Sequence, residues 1–524
     1  MIRRLIFFIL IFFLFSTDGI HAQPGSLDKS FGVNGIVTTA IGDRLALVHS
    51  IAVQSDFRIV AAGYAYRGKN LEFAIARYDT NGTLDASFGV NGIITTKIDT
   101  GDNSIRSLII QPDGKLVVAG YSGCDHFNVN FALARYNIDG SLDNSFGTNG
   151  TVITSFGDIS MVISSALQVD GKIVAVGNMG SGVSPGGNKF ALSRYTTNGN
   201  LDSTFGTNGK ITTAVRNIDD VAYSVRIQAD GKIIAAGTSY HDTNFDIGPD
   251  IALVRYNTNG SIDTTFGTKG KVITALNDDS FAGSINIQED QKIVVSGGTY
   301  NGGNYNLVLL RYTIDGLLDK SFGINGIVTT TSGSVNDHVF SSIIQPDNKI
   351  VVIGSSLNNS VWDFCVVRYN NDGSLDNTFG IDGIVITPID SSDSYLFAVA
   401  MQNNGKILAG GEIFINDTIG RFVMARYISG LNIGELDHPN NSVLCYPNPS
   451  NNSLNIAFEL KNNEKVTISI YNLVGQAEGI ITDQNYSSGK HQLKCNVSNL
   501  ASGSYICTFK AGDFLTSEKL TVIR

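Results

Sequence analysis

Two sets of carboxylates recur along this 524-residue chain, and each would do different chemistry. In the first set, Asp85, Asp143, Asp202, Asp263, Asp319 and Asp376 each follow an Arg-Tyr pair at Arg77, Arg135, Arg194, Arg255, Arg311 and Arg368, and a seventh Arg-Tyr stands at Arg426. One ligand rarely needs so many equal sites, so a charge-assisted pair joining a strand to its following loop is the better account. In the second set, Asp43, Asp102, Asp158, Asp220, Asp279, Asp337 and Asp393 stand eight to eleven positions before a recurring Gln. Facing a common axis, they would form an acidic ring that attracts a cation or a basic ligand. Bonded instead to backbone N–H groups nearby, each would only cap a turn. Tyr240, Tyr300, Tyr305 and Trp362 could stack on sugars or pack between neighbours. Asp125, His126, His241, Asp242, Asp337 and His338 are the residues that acid–base cleavage of a glycan would use. No two of them fall at a catalytic spacing, and no catalytic residue is assigned. Calcium is the sharper alternative for the Asp-rich loops, yet they lack alternating D-x-D-x-D-G oxygen ligands, so no cofactor is expected.

These residues belong to a sentence that returns seven times. Its Phe stands at Phe31, Phe88, Phe146, Phe205, Phe266, Phe322 and Phe379, spaced 56 to 61 residues apart. A copy reads G-S-L-D-x-S-F-G-x-N-G-I-V-T-T, then A-V-Q-x-D-G-K-I-V-A-A-G, then F-A-L-A-R-Y. A fixed period of this length marks a repeat architecture whose units cannot bury their apolar faces alone. Within one copy, Ser107 to Gln111 and Leu116 to Gly120 flank Pro112-Asp113-Gly114, which predicts a hairpin. Phe131 to Tyr136 reads as a third strand and Thr151 to Thr154 as a β-branched fourth. Four antiparallel strands per unit make the blade of a β-propeller.

The phasing predicts closure. Gly35 to Thr39 is a fourth strand with no first three before it, and the last triplet, ending at Tyr427, has no fourth strand after it. Joined, the two orphans complete a seventh blade and leave no open edge. The fold class is all-β: a seven-bladed propeller followed by a small Ig-like sandwich.

The repeat unit resembles the delta-60 repeat family, β-propellers of exported bacterial proteins, over Gly25 to Tyr427. Phe57, Gln291 and Asn348 depart from it by replacing the Gly of the Q-x-D-G-K turn. After a polar linker at 428–442, Tyr446-Pro447-Asn448-Pro449, Ile470 to Gln476 and Leu500 to Tyr505 resemble the type A C-terminal sorting domain of the type IX secretion system, over 443–524. That resemblance implies the type IX machinery as a partner and delivery to the medium or the cell surface. At the other end, Arg3 and Arg4 precede an apolar run from Leu5 to Phe15 and a small residue at Ala22. This is the pattern of a cleaved signal peptide over 1–22, too short for a retained membrane span.

A net charge of −10 without a basic stripe excludes nucleic acid as a partner. Of the five cysteines, Cys495 and Cys507 are the pair expected if a disulfide forms, and small buried thiols are the alternative. In a blade, the near-identical Q-x-D-G-K and L-D-x-S-F-G turns share one face. The variable segments, such as Tyr121 to Asn130, Asn178 to Lys189, Thr238 to Asp250 and Ser355 to Asp363, share the other. A rigid scaffold with variable loops on one face is the layout of a binding surface. The expected function is therefore a non-catalytic surface or secreted propeller that binds a glycan, a protein or matrix. A glycan hydrolase or lyase, and a structural surface-layer protein, are the alternatives.

Overall fold

The computed structural model describes residues 23–522 except 124–128, 158, 181–186, 217, 242–247, 277–278, 302, 333–335, 390–391, 403, 417, 432–442, 447–449, 451–452, 461, 473–475 and 513. The signal-peptide reading at 1–22 thus lies outside the described residues. Every element described is a β-strand. The first blade runs Ala46–Val53, Ile59–Arg67, Asn70–Tyr78 and Ile93–Thr96, each strand antiparallel to the next. Five more four-stranded sheets repeat it in order, and in the seventh Ile36–Thr39 pairs with Ile419–Tyr427, with Ile36 opposite Ala425. The inner strands contact one another in a cycle that returns from Ser394–Met401 to Ala46–Val53.

Middle strands are apolar on both faces because each blade is covered by a neighbour on either side. Val60, Phe73 and Ile75 of the first blade pack on Ile105, Leu116 and Val118 of the second. The same layer closes the ring, where Leu408 and Met424 meet Val48, Ala61 and Ala74.

Two devices fix the blades. Each inner strand carries a register break, as between Val48 and Ser50, and faces an invariant Gly on the second strand. A Cβ on Gly63 would sit 1.8 Å from the Leu47 carbonyl oxygen, so only Gly admits the bulged backbone. The second device is the Arg–Asp clamp. Arg135 Nε lies 2.7 Å from Asp143 Oδ2, Asp143 Oδ1 accepts from Ser145 Oγ, and the guanidinium stacks on Phe146 at 4.7 Å. A further Arg nitrogen donates to a backbone carbonyl one blade on, as from Arg77 to Ile138 at 2.6 Å. The L-D-x-S-F and R-Y landmarks are therefore one buried motif. Its last copy joins the two ends of the ring, with Arg426 Nε 2.7 Å from Asp28 Oδ2. The Tyr beside each Arg also ties blades together: Tyr427 Oη donates to Thr387 Oγ1 at 3.0 Å.

The C-terminal segment forms a sandwich of a three-stranded sheet (Val443–Tyr446, Ser453–Leu460, Gly489–Asn496) and a four-stranded sheet (Glu464–Asn472, Ala477–Tyr486, Gly503–Ala511, Phe514–Val522). Leu454, Ile456, Ile468 and Phe509 are in the core between them. Of the two cysteine readings the structure holds the second: Cys445 and Cys507 are free and buried, and Cys495 is free. The buried Cys507 thiol is a hydrogen-bond neighbour of Cys445, and this, ahead of burial, pushes the Cys445 pKa up. Cys495 is half-buried and points its sulfur toward the Asn496 carbonyl at 3.7 Å.

Candidate functional site

A bulge turns one extra side chain out of the regular alternation. In the seven blades that residue is His49, Arg106, Ile163, Tyr223, Gly283, Phe340 or Phe397, and all border a central cavity of about 750 Å³. The residue after the bulge is Ser in six blades, at Ser50, Ser107, Ser164, Ser224, Ser284 and Ser341. These serines staple neighbours: Ser50 Oγ accepts from Leu108 N at 3.2 Å, Ser107 Oγ from Ser165 N at 3.0 Å and Ser224 Oγ from Ile285 N at 3.2 Å. The channel thus has a constant frame and a different side chain from each blade.

Aromatic rings gather on the blades around one part of the mouth. Tyr300 contacts Tyr305 with centroids 5.1 Å apart, Tyr305 contacts His338 at 6.2 Å, and His338 stacks on Trp362 at 4.4 Å. Trp362 continues to Tyr395 at 5.8 Å, Tyr395 to Phe414 at 6.1 Å, and Phe340 to Phe397 at 4.7 Å. All are half-buried. The three contiguous blades that hold this crescent also have long hairpins between their second and third strands, as in Ile350–Asn358 and Val361–Tyr369. The segment Ser355 to Asp363, expected as a variable loop, is therefore mostly strand, turning only at Asn359 and Ser360 with φ of 49° and 68°. A cavity of about 590 Å³ opens beside Tyr395, Phe397, Phe414, His338, Asp393 and Glu412. Glu412 sits opposite Tyr395 in the sheet and is buried, which pushes its pKa up to about 7.

Of the carboxylates read as an acidic ring or as turn caps, Asp102 and Asp393 join neighbouring blades and Asp220 and Asp337 cap local backbone. Asp102 Oδ1 accepts the Leu71 N–H at 2.8 Å and Asp393 Oδ1 the Trp362 N–H at 2.9 Å, each from the third strand of the preceding blade. Asp219 and Asn336 hold the same place, accepting from Asn188 and Tyr305 at 3.1 Å. Asp220 and Asp337 stand one residue later and are buried, accepting from Val215 N at 2.7 Å and Ser332 N at 2.9 Å. Asp279 lies against Gly248, close enough to Tyr240 and Tyr305 to raise both phenol pKa values further after burial has done so. Asp43 is exposed, and Asp158 lies outside the described residues. None of the described carboxylates of this set borders the central cavity. Each local N–H partner instead takes up a lone pair that a cation would need.

Of the acid–base candidates, Asp125, His126 and Asp242 lie outside the described residues. His241 is drawn to Asp250, with Nε2 2.8 Å from Oδ2, and Arg216 shares that oxygen at 2.5 Å. Asp337 and His338 are strand neighbours and so point to opposite faces, the first into the blade and the second into the crescent. Among the described residues no three His, Cys, Asp or Glu side chains converge as metal ligands. Arg106, Tyr223, Arg226, Phe340, Tyr395, Phe397 and Glu412 border the two cavities without having been singled out in the sequence. The signal for several was present, because they occupy repeat-equivalent positions where the copies disagree between neighbours that agree.

Comparison with known proteins gives the same division of the chain. The profile described as "Domain of unknown function (DUF5122) beta-propeller" matches residues 54–88, 111–146, 168–205, 228–266, 288–322 and 345–379. These six segments are repeats of the DUF5122 β-propeller family. The profile described as "Secretion system C-terminal sorting domain" matches 444–523. This DUF5122 propeller is therefore an exported protein, secreted or displayed at the cell surface, with the type IX machinery as the partner of its last domain. Among the described residues no helix is long and apolar enough to cross a membrane. No curated protein sequence matches the chain. Similar solved structures include PorZ, a surface component of the type IX secretion system of Porphyromonas gingivalis (10% identity, TM-score 0.33, covering 93% of this chain and 75% of that one). The polysaccharide lyase Uly1 (12%, 0.43, 73% and 89%) and a GH43_12 protein from a capybara gut metagenome (9%, 0.28, 79% and 88%) are others.

Proposed function

We propose that the DUF5122 propeller is a non-catalytic binding module that holds a glycan at the mouth of its channel. The observation that carries this is the crescent from Tyr300 through His338 and Trp362 to Phe414, half-buried rings beside an open cavity. Sugar rings present apolar C–H faces, and half-exposed aromatic rings fixed by their neighbours meet such faces at little entropic cost. Polar groups at the same mouth, Asp393, Glu412 and Asn416, would give orientation. The test is a glycan array with the full chain, followed by product analysis on each hit. Trp362→Ala and Tyr395→Ala should each weaken a hit by about three- to tenfold, the range of one aromatic contact.

One observation favours a second reading, a glycan-cleaving enzyme. Glu412, with its pKa at about 7, shares a cavity with Asp393, the pairing of a proton donor with a carboxylate that hydrolysis uses. Cleaved products from a hit, lost in Glu412→Gln, would select it over the first.

A further inference from the structure

The central channel runs against the charge of the whole chain. The protein carries a net −10, yet among the described residues those bordering the channel include Arg106, Arg226 and His49 and no carboxylate. The contrast with the scaffold is sharp, since each repeat Arg of the R-Y pairs is clamped to an Asp, as Arg255 is to Asp263 at 2.7 Å. Among the described residues Arg226 meets neutral acceptors: Nη1 donates to the Val225 carbonyl at 2.9 Å and Nη2 to Asn286 Oδ1 at 3.3 Å. Arg106 lies 3.4 Å from His49 Nδ1 and 5.7 Å from the Tyr121 ring centroid. Burial, then the charge of Arg106, holds the His49 pKa well below its ordinary value, so that neighbour is neutral at pH 7.

Arg106 and Arg226 are half-buried, and a partly desolvated guanidinium without a counter-charge is costly, a cost that falls when an anion enters. The two groups stand at different depths. Arg106 is at the bulge, level with Phe340 and Phe397, while Arg226 lies about 10 Å deeper, three residues further along its strand. A planar fork of donors suits an oxyanion.

We propose that the channel is an anion site, in which Arg106 and Arg226 take the carboxylate or sulfate of an acidic sugar whose ring lies on the aromatic crescent. This rests on the glycan reading for the sugar but not for the anion. The shared chemistry is an oxyanion, and its source is a uronic acid or a sulfate ester.

The test uses the full chain and calorimetric titration with three hexasaccharides: an oligogalacturonate, a sulfated galactan and a neutral galactan. An acidic hexamer should bind tenfold or more tightly than the neutral one, and which acidic hexamer does so names the source. Arg106→Gln and Arg226→Gln should each reduce its affinity by about ten- to a hundredfold, the effect of a charged hydrogen bond, and leave neutral binding unchanged. A melting series separates the two readings, with galacturonate or sulfate compared with chloride at equal ionic strength. Anion stabilisation that is lost in both variants, with no hexamer bound, keeps the anion site and removes the glycan. Neutral and acidic hexamers binding equally keep the glycan and overturn the anion site. No anion response in the melts, or a response untouched by both substitutions, also overturns it.

Discussion

Asp28→Ala should open the ring at its seam. Asp28 is only 7% exposed and accepts from Arg426 Nε at 2.7 Å, with Lys406 Nζ on the same oxygen at 2.9 Å. Arg426 is itself 3% exposed, so removing the carboxylate strands a buried guanidinium, which costs about 3–5 kcal/mol. For a ring of roughly 400 residues, the unfolding entropy converts this to a fall in Tm of about 4–6 °C. Asp143→Ala breaks the same clamp within one blade and sets the scale. Burial alone would raise the Asp28 pKa, but the hydrogen bonds from Lys406 and Ser30 and the charge of Arg426 outweigh it and hold the carboxyl at about 2. A depressed carboxylate gives its full stability above its ordinary value of 3.8 and loses it as pH falls through about 2. Thermal melts of the full chain from pH 7 to pH 2 should therefore separate wild type from Asp28→Ala at neutral pH and bring them together in acid. If Asp28→Ala melts within a degree of wild type while Asp143→Ala does not, the two chain ends do not share a blade.

Glu412, raised by burial to about 7, contributes stability that is fullest below its ordinary 4.5 and declines as pH rises through 7. Glu412→Gln should abolish that decline and stabilise the protein by up to about 3 kcal/mol at pH 8, read by urea unfolding. Gln291 holds the turn position of a Gly at φ 66°, so Gln291→Gly should stabilise by about 0.5–1 kcal/mol, the left-handed strain less the entropy of Gly. The same unfolding assay checks it, and a loss would refute the strain. Oxidation of the exported chain by a thiol–disulfide donor should link Cys445 to Cys507. Non-reducing peptide mapping would then leave Cys495 open to alkylation, whereas a Cys495 cross-link would refute this packing.

Much of the ring was legible because the repeats act as their own alignment. The orphan strand at Gly35 to Thr39 and the recurring Arg and Asp need no coordinates to be matched, and both stand in the structure as read. The failures come from single-residue register. Asp219 and Asp220 are adjacent, yet one reaches across to the preceding blade and the other caps its own loop, because strand neighbours point to opposite faces. Asn336 does the work of an Asp and so escapes a search for carboxylates. Trp362, Tyr300 and Tyr305 could be named as exposed aromatics, but Phe340 and Phe397 sit in inner strands and read as core. Only the bulge, set by a Gly on the neighbouring strand, turns them into the channel.

Trp362 is the sole tryptophan of the chain and stands in the middle of the crescent, with its ring 4.4 Å from His338. Its fluorescence therefore reports one place. Titrating the full chain with each glycan that it captures should shift or quench this emission, saturating at the concentration that saturates binding, and Tyr395→Ala should move both curves together. A glycan that binds with Trp362 silent, or a Trp362 response that does not follow the binding curve, would contradict a site at the channel mouth.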